Sequence, residues 1–172
     1  ANTTLYAIWK ELPEYTVTYD KNSETAVGTV TDANSPYHAG DEVTVAASTL
    51  TPPDDYGFKC WCTETTEAEG SISFDPDDTF EIEEDTTLYA IWEELPEYTV
   101  TLDKNSAGAS GEMTDASSPY HEGDTVTAPT CTFTPEALYE FDCWSTAATK
   151  TGEGVINYAE LATFEIAANT TL

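Results

Sequence analysis

"TTLYAIW" spans Thr3–Trp9, returns letter for letter at Thr86–Trp92, and its first three letters stand again at Thr170–Leu172. A phrase that recurs at a fixed displacement marks a repeating unit rather than a fold built around one site. Outward from it, ELPEYTVTYDKNS at Glu11–Ser23 recurs as ELPEYTVTLDKNS at Glu94–Ser106, the one change being Tyr19 against Leu102. SPYHAGDEV at Ser35–Val43 recurs as SPYHEGDTV at Ser118–Val126, and FKCWCT at Phe58–Thr63 as FDCWST at Phe141–Thr146, all displaced by 83 positions. Beyond these, Gly70 matches Gly154, Phe80 matches Phe164 and Leu88 matches Leu172, displaced by 84. One residue has therefore been inserted between Thr146 and Gly154, as a surface loop tolerates.

The unit is about 83 residues long, and the quoted phrase is its last strand. Residues 1–9 read as the terminal strand of a preceding repeat, 10–92 as the first repeat, and 93–172 as a second repeat lacking its last strand. Two explanations stand side by side. The chain is a window on a longer tandem array, with neighbouring repeats as its partners, or the first strand of one molecule completes the open copy of the next. The latter is a head-to-tail homo-assembly by strand addition.

The local pattern is that of β-structure. In YTVTY, Tyr15, Val17 and Tyr19 alternate with Thr16 and Thr18, and Val43 with Val45, Phe80 with Ile82, and Ile72 with Phe74 keep the same period of two. TLYAIW is apolar on both faces, which predicts a strand interior to a sheet. The segments between are dense in Asn, Asp, Pro and Gly, the residues of turns. No stretch carries a helical period beyond a single turn after Pro76 or Glu136. The predicted fold class is mainly β, two tandem small sheets in an extended array. A unit this size buries only about 60–65 % of its unfolded surface and is marginal alone.

Charge narrows the partners. Against 33 acidic residues there are 5 lysines and no arginine, a formal charge of −28. Such a surface repels phosphate backbones and anionic headgroups, so nucleic acid is excluded as a partner. No apolar run is long enough for membrane insertion as a helix. Ten tyrosines, six phenylalanines and four tryptophans supply the core that a disordered acidic chain lacks.

The succession YTVTxD, YxxGDxV, an aromatic-rich segment ending in WxT, and TTLYAxW resembles the Listeria-Bacteroides repeat, also called the internalin B-repeat. The carrying positions are Tyr15, Val17, Asp20, Tyr37, Gly40, Val43, Phe58, Trp61, Thr63, Leu88, Tyr89 and Trp92, with Tyr98, Val100, Asp103, Tyr120, Gly123, Val126, Phe141, Trp144 and Thr146 in the second copy. The resemblance implies a small β-grasp-like sheet, a place on a bacterial surface protein, and no catalytic residues. The chain departs from the family pattern in Cys60 and Cys143, where a glycine usually precedes the motif tryptophan.

Candidate chemistry is sparse. With so many carboxylates, acidic pairs arise by chance, and His38 and His121 repeat in register as fold residues do; no catalytic site and no enzyme activity is expected. No cofactor is expected either, save calcium, for which Asp75, Asp77 and Asp78 in DPDD place hard oxygen ligands in a turn. Cys131 and Cys143 are the expected disulfide, contributing about 3 kcal/mol by loop closure, while Cys60 and Cys62 are open between a bond and free thiols. Asn2 and Asn169 lie in NTT, a glycosylation acceptor sequence, but the middle copy has Asp85 there, which favours a plain structural position. Tyr37 and Tyr120 are the candidate contacts for a glycan or host protein. Together these features point to a non-enzymatic extracellular module of the cell surface, a stalk, spacer or filament unit, with an adhesin-type binding module as the alternative.

Overall fold

The computed structural model describes residues 3–172, and the chain divides into two compact units, 1–94 and 95–172. All regular structure among the described residues is strand. The first unit holds β1 (Glu14–Tyr15), β2 (Val17–Asp20), β3 (Tyr37–His38), β4 (Glu42–Thr44), β5 (Tyr56–Cys62), β6 (Ser73–Phe74), β7 (Thr79–Glu81) and β8 (Thr86–Glu94). The second holds β9 (Glu97–Tyr98), β10 (Val100–Thr101), β11 (Tyr120–His121), β12 (Thr125–Thr127), β13 (Trp144–Ser145), β14 (Asn157–Tyr158), β15 (Thr163–Glu165) and β16 (Thr170–Thr171).

In the first unit the sheet order is β2-β8-β5-β6. β8 lies between β2, to which it is parallel, and β5, to which it is antiparallel. This interior place is why TTLYAIW is apolar on both faces: Leu88 and Ala90 enter the main core, and Ile91 packs on the other face with Cys60 and Cys62. The turn-rich sequence foretells antiparallel pairing and gives no hint of the parallel β2–β8 pair, which is closed by contacts remote in sequence. The β5–β8 register slips between Phe58 and Cys60, a bulge at Lys59. β1 with β3 and β4 with β7 add two antiparallel pairs.

The second unit repeats these pairs position for position. Val43 opposite Phe80 becomes Val126 opposite Phe164, and Trp61 opposite Phe74 becomes Trp144 opposite Tyr158. Val17 beside Thr86 becomes Val100 beside Thr170. The cores match as well: Val17, Val43, Val45, Trp61, Ile82 and Leu88 in one, Val100, Val126, Ala128, Trp144, Ile166 and Leu172 in the other. The pairing without a counterpart among the described residues is β5–β8.

The first TTLYAIW takes no strand position. Residues 3–13 are without regular structure, and Leu5 and Trp9 are 91 % and 90 % exposed. The same letters are thus a central strand at 86–92 and an unpaired segment at 3–9, because only the second lies between strands that accept it.

Candidate functional site

Tyr37 and Tyr120 each hold a turn through the phenol hydroxyl. Tyr37 is 8 % exposed, and its hydroxyl donates to Asp32 Oδ2 at 2.7 Å. Burial first, and the Asp32 carboxylate second, push its pKa up to about 12. Tyr120 donates to Asp115 Oδ2 at 2.7 Å, and burial and that carboxylate raise its pKa in the same way. Around each, the SPYHxGD turn closes on itself: Val17 N–H donates to Ser35 Oγ, and His38 N–H to Asp41 Oδ2, with Val100, Ser118, His121 and Asp124 repeating the set. Each tyrosine thus pins its turn, Tyr37 buried and Tyr120 partly exposed.

Asp75, Asp77 and Asp78 do not converge on a cation position. Asp78 Oδ2 accepts from the Asp75 N–H at 2.8 Å, so that carboxylate caps its own turn, and Asp77 adopts a positive φ of 71°. Among the described residues no group of three or more His, Cys, Asp or Glu is placed to hold a metal ion. The expected Cys131–Cys143 disulfide is not formed. Both are free thiols with separate neighbours: Cys143 Sγ lies 3.9 Å from Asn157 Oδ1, while Cys131 N–H donates to Glu160. Cys60 and Cys62 are also free, and both are buried. Burial raises the Cys60 thiol.

Asn169 works as a structural residue. Its Oδ1 accepts from the backbone N–H and the hydroxyl of Thr99, as Asp85 does for Thr16. Asn2 lies outside the described residues.

What the second unit does present is a groove of about 730 Å³ whose walls include Lys104, Asn105, Phe141, Cys143, Trp144 and Leu172. Its meaning is read from the first unit, where Tyr89–Trp92 of β8 lie at the equivalent place. There Trp92 donates its indole N–H to the Lys21 carbonyl at 3.0 Å and meets the Phe58 ring edge-on at 5.9 Å. Asn22 Nδ2 donates to the Ala90 carbonyl at 3.0 Å and to Thr65 at 2.7 Å. In the second unit Asn105 Nδ2 keeps the counterpart of the Thr65 bond, to Ala148 at 2.9 Å. Leu172 N–H donates to the Thr101 carbonyl at 2.8 Å and its own carbonyl accepts from the Asp103 N–H at 2.7 Å.

The counterpart of β5 is less regular in the second unit. β5 is seven residues long, whereas β13 is two, and residues 139–143 are without regular structure. Tyr139 is exposed, and Cys143 is half-buried where Cys60 is buried. The groove of the second unit is thus walled by the rings of Phe141 and Trp144 together with the polar groups of Lys104 and Asn105. The part that Asn105 plays follows from its match to Asn22 in the first unit.

Comparison with known proteins gives two family matches. Residues 15–91 match the family model described as the Listeria-Bacteroides repeat domain, and residues 98–172 match that of the Divergent InlB B-repeat domain. No curated protein and no solved structure matches the chain.

Proposed function

We propose that this chain, which belongs to the Listeria-Bacteroides repeat family, is a non-enzymatic tandem module of a bacterial surface protein, acting outside the cell as a stalk or spacer. The observation that carries the reading is where the repeated polar side chains go. Asp32 and Asp115 hold tyrosine hydroxyls, Asp41 and Asp124 hold histidine N–H groups, and Asp85 and Asn169 hold Thr16 and Thr99. Residues kept in register in both units therefore serve turns and strand junctions, as a load-bearing repeat requires and a ligand site does not. The charge of −28 adds solubility and repulsion between neighbouring stalks.

The test is a swap in a surface-displayed reporter protein carrying the chain. Replacing the chain with an unrelated rigid module of equal length should preserve function of the displayed domain, and shortening it should impair it. Loss of function at preserved length would contradict the spacer role and favour direct recognition by the repeat.

A further inference from the structure

We infer that the first unit resists extension as a shear clamp, with the parallel β2–β8 pair as its load-bearing contact. The inference rests on the module reading and adds a mechanical task to it, that of keeping a folded length while the chain is pulled. Failure of the clamp would leave the spacer role standing, since the swap for a rigid module of equal length tests that role without load.

The load path follows from the topology. A pull along a tandem chain enters this unit ahead of β1 and leaves it after β8. β2 and β8 are adjacent and parallel, with Val17 beside Thr86 and Asp20 beside Tyr89. The pull therefore reaches β2 at Val17 and β8 at Glu94, at opposite ends of the pair, and draws the strands past each other along their length. A parallel ladder spaces its hydrogen bonds evenly, so they share the load instead of breaking one at a time. The β1–β3 pair ahead of it spans only two positions, Glu14 opposite His38 and Tyr15 opposite Tyr37, too few to carry the load in its place.

Side chains lengthen the contact beyond the ladder at both ends. Where the load enters, Asp85 Oδ1 accepts from the Thr16 N–H at 2.8 Å and from its hydroxyl at 2.9 Å, and the Thr86 N–H donates to the Thr16 carbonyl at 2.9 Å. Hydrogen bonds to a carboxylate are stronger than those between neutral groups. Past the end of β2, Asn22 Nδ2 donates to the Ala90 carbonyl and the Trp92 indole N–H to the Lys21 carbonyl, each at 3.0 Å. The same strands also meet in the core, where Val17 and Leu88 are buried in one cluster with Tyr19 packed against it. The entry junction recurs in the second unit: Val100 lies beside Thr170, and Asn169 holds Thr99 as Asp85 holds Thr16.

Single-molecule pulling on the full chain tests it, with handles coupled through unnatural side chains at the exposed positions Lys10, Glu24 and Glu94, so that the cysteines stay untouched. Handles at Lys10 and Glu94 shear β2 against β8. Handles at Glu24 and Glu94 act at one end of the pair and peel it. Forced unfolding is governed by the unfolding rate, and at equal loading rate shearing should need at least about twice the force of peeling. Asp85→Ala should lower the shearing force and leave the peeling force unchanged, because its bonds to Thr16 lie at the end remote from the peel. Asp85→Asn should keep the shearing force, as an asparagine makes these contacts in the second unit. Equal forces in the two directions overturn the inference. So does a loss on Asp85→Ala of the same size in both, which would mark general destabilisation instead of a load path through the Thr16 junction.

Discussion

The backbone N–H of Ala46 donates to Tyr19 Oη at 2.8 Å, and in the second unit both partners have changed together, to Pro129 and Leu102. Proline has no N–H to satisfy, so the hydroxyl is dispensable there. The carbonyl at this position keeps its task in both units, accepting the indole N–H of Trp61 at 2.9 Å or of Trp144 at 2.7 Å. Tyr19→Leu alone should therefore destabilise the first unit by about 1–2 kcal/mol, by leaving a part-buried donor unpaired. Adding Ala46→Pro should return about 1 kcal/mol of that loss. Denaturant midpoints of the two single variants and the double variant measure the coupling.

Trp92 and Trp9 occupy the same place in one repeated phrase and should respond in opposite ways. Trp92→Ala removes the ring from Phe58 and the bond to the Lys21 carbonyl. It should destabilise the first unit by about 2–4 kcal/mol, as large-to-small changes at packed aromatics do. Trp9→Ala, measured in dilute protein, should change stability by less than about 0.5 kcal/mol because nothing packs on it. Chemical denaturation of both variants makes the comparison.

Asp85 gives the first unit a pH dependence that the second lacks at the matching position. The backbone N–H of Thr16, then its hydroxyl, hold the Asp85 carboxyl below its ordinary value. Since the folded value lies below the unfolded one, the stabilisation is present above the unfolded value and is lost as pH falls through the folded value. Asn169 makes the same contacts with Thr99 and does not titrate. Asp85→Asn should flatten the fall in the first unit's urea midpoint between about pH 5 and pH 2, where carboxylates protonate. An equally steep fall in the variant would refute this assignment.

The four thiols should divide by accessibility. Cys60 and Cys62 are buried under Ile91, while Cys131 and Cys143 are half-exposed at the groove. Burial raises the Cys60 thiol further from its reactive form. A thiol reagent on dilute reduced protein should label Cys131 and Cys143 in a fast phase, and Cys60 and Cys62 only as the first unit unfolds. Peptide mapping of the labelled sites checks it.

The repeat period carried most of the fold into plain view. Val43, Val45 and Ile82 are buried as their alternation demands, and the doubly apolar TTLYAIW is an interior strand where it has neighbours. What the letters do not specify is context. Thr3–Trp9 and Thr86–Trp92 are identical, and only the strands alongside make one of them β8. The parallel β2–β8 pairing joins residues about 69 apart in sequence, such as Val17 and Thr86, and leaves no local signature. Tyr37 and Tyr120 carry no mark of enclosure either, since the partners that enclose them, Asp32 and Asp115, look like two more acids in an acidic chain.

Backbone amide hydrogen exchange, compared between residues 57–62 and 140–145, tests the central claim most directly: the units share one fold, with the counterpart of β5 less regular in the second. Phe58–Cys62 should exchange slowly beside β8, while residues 140–143, without regular structure, exchange rapidly. Equal protection of both segments would contradict the difference in regularity between β5 and its counterpart.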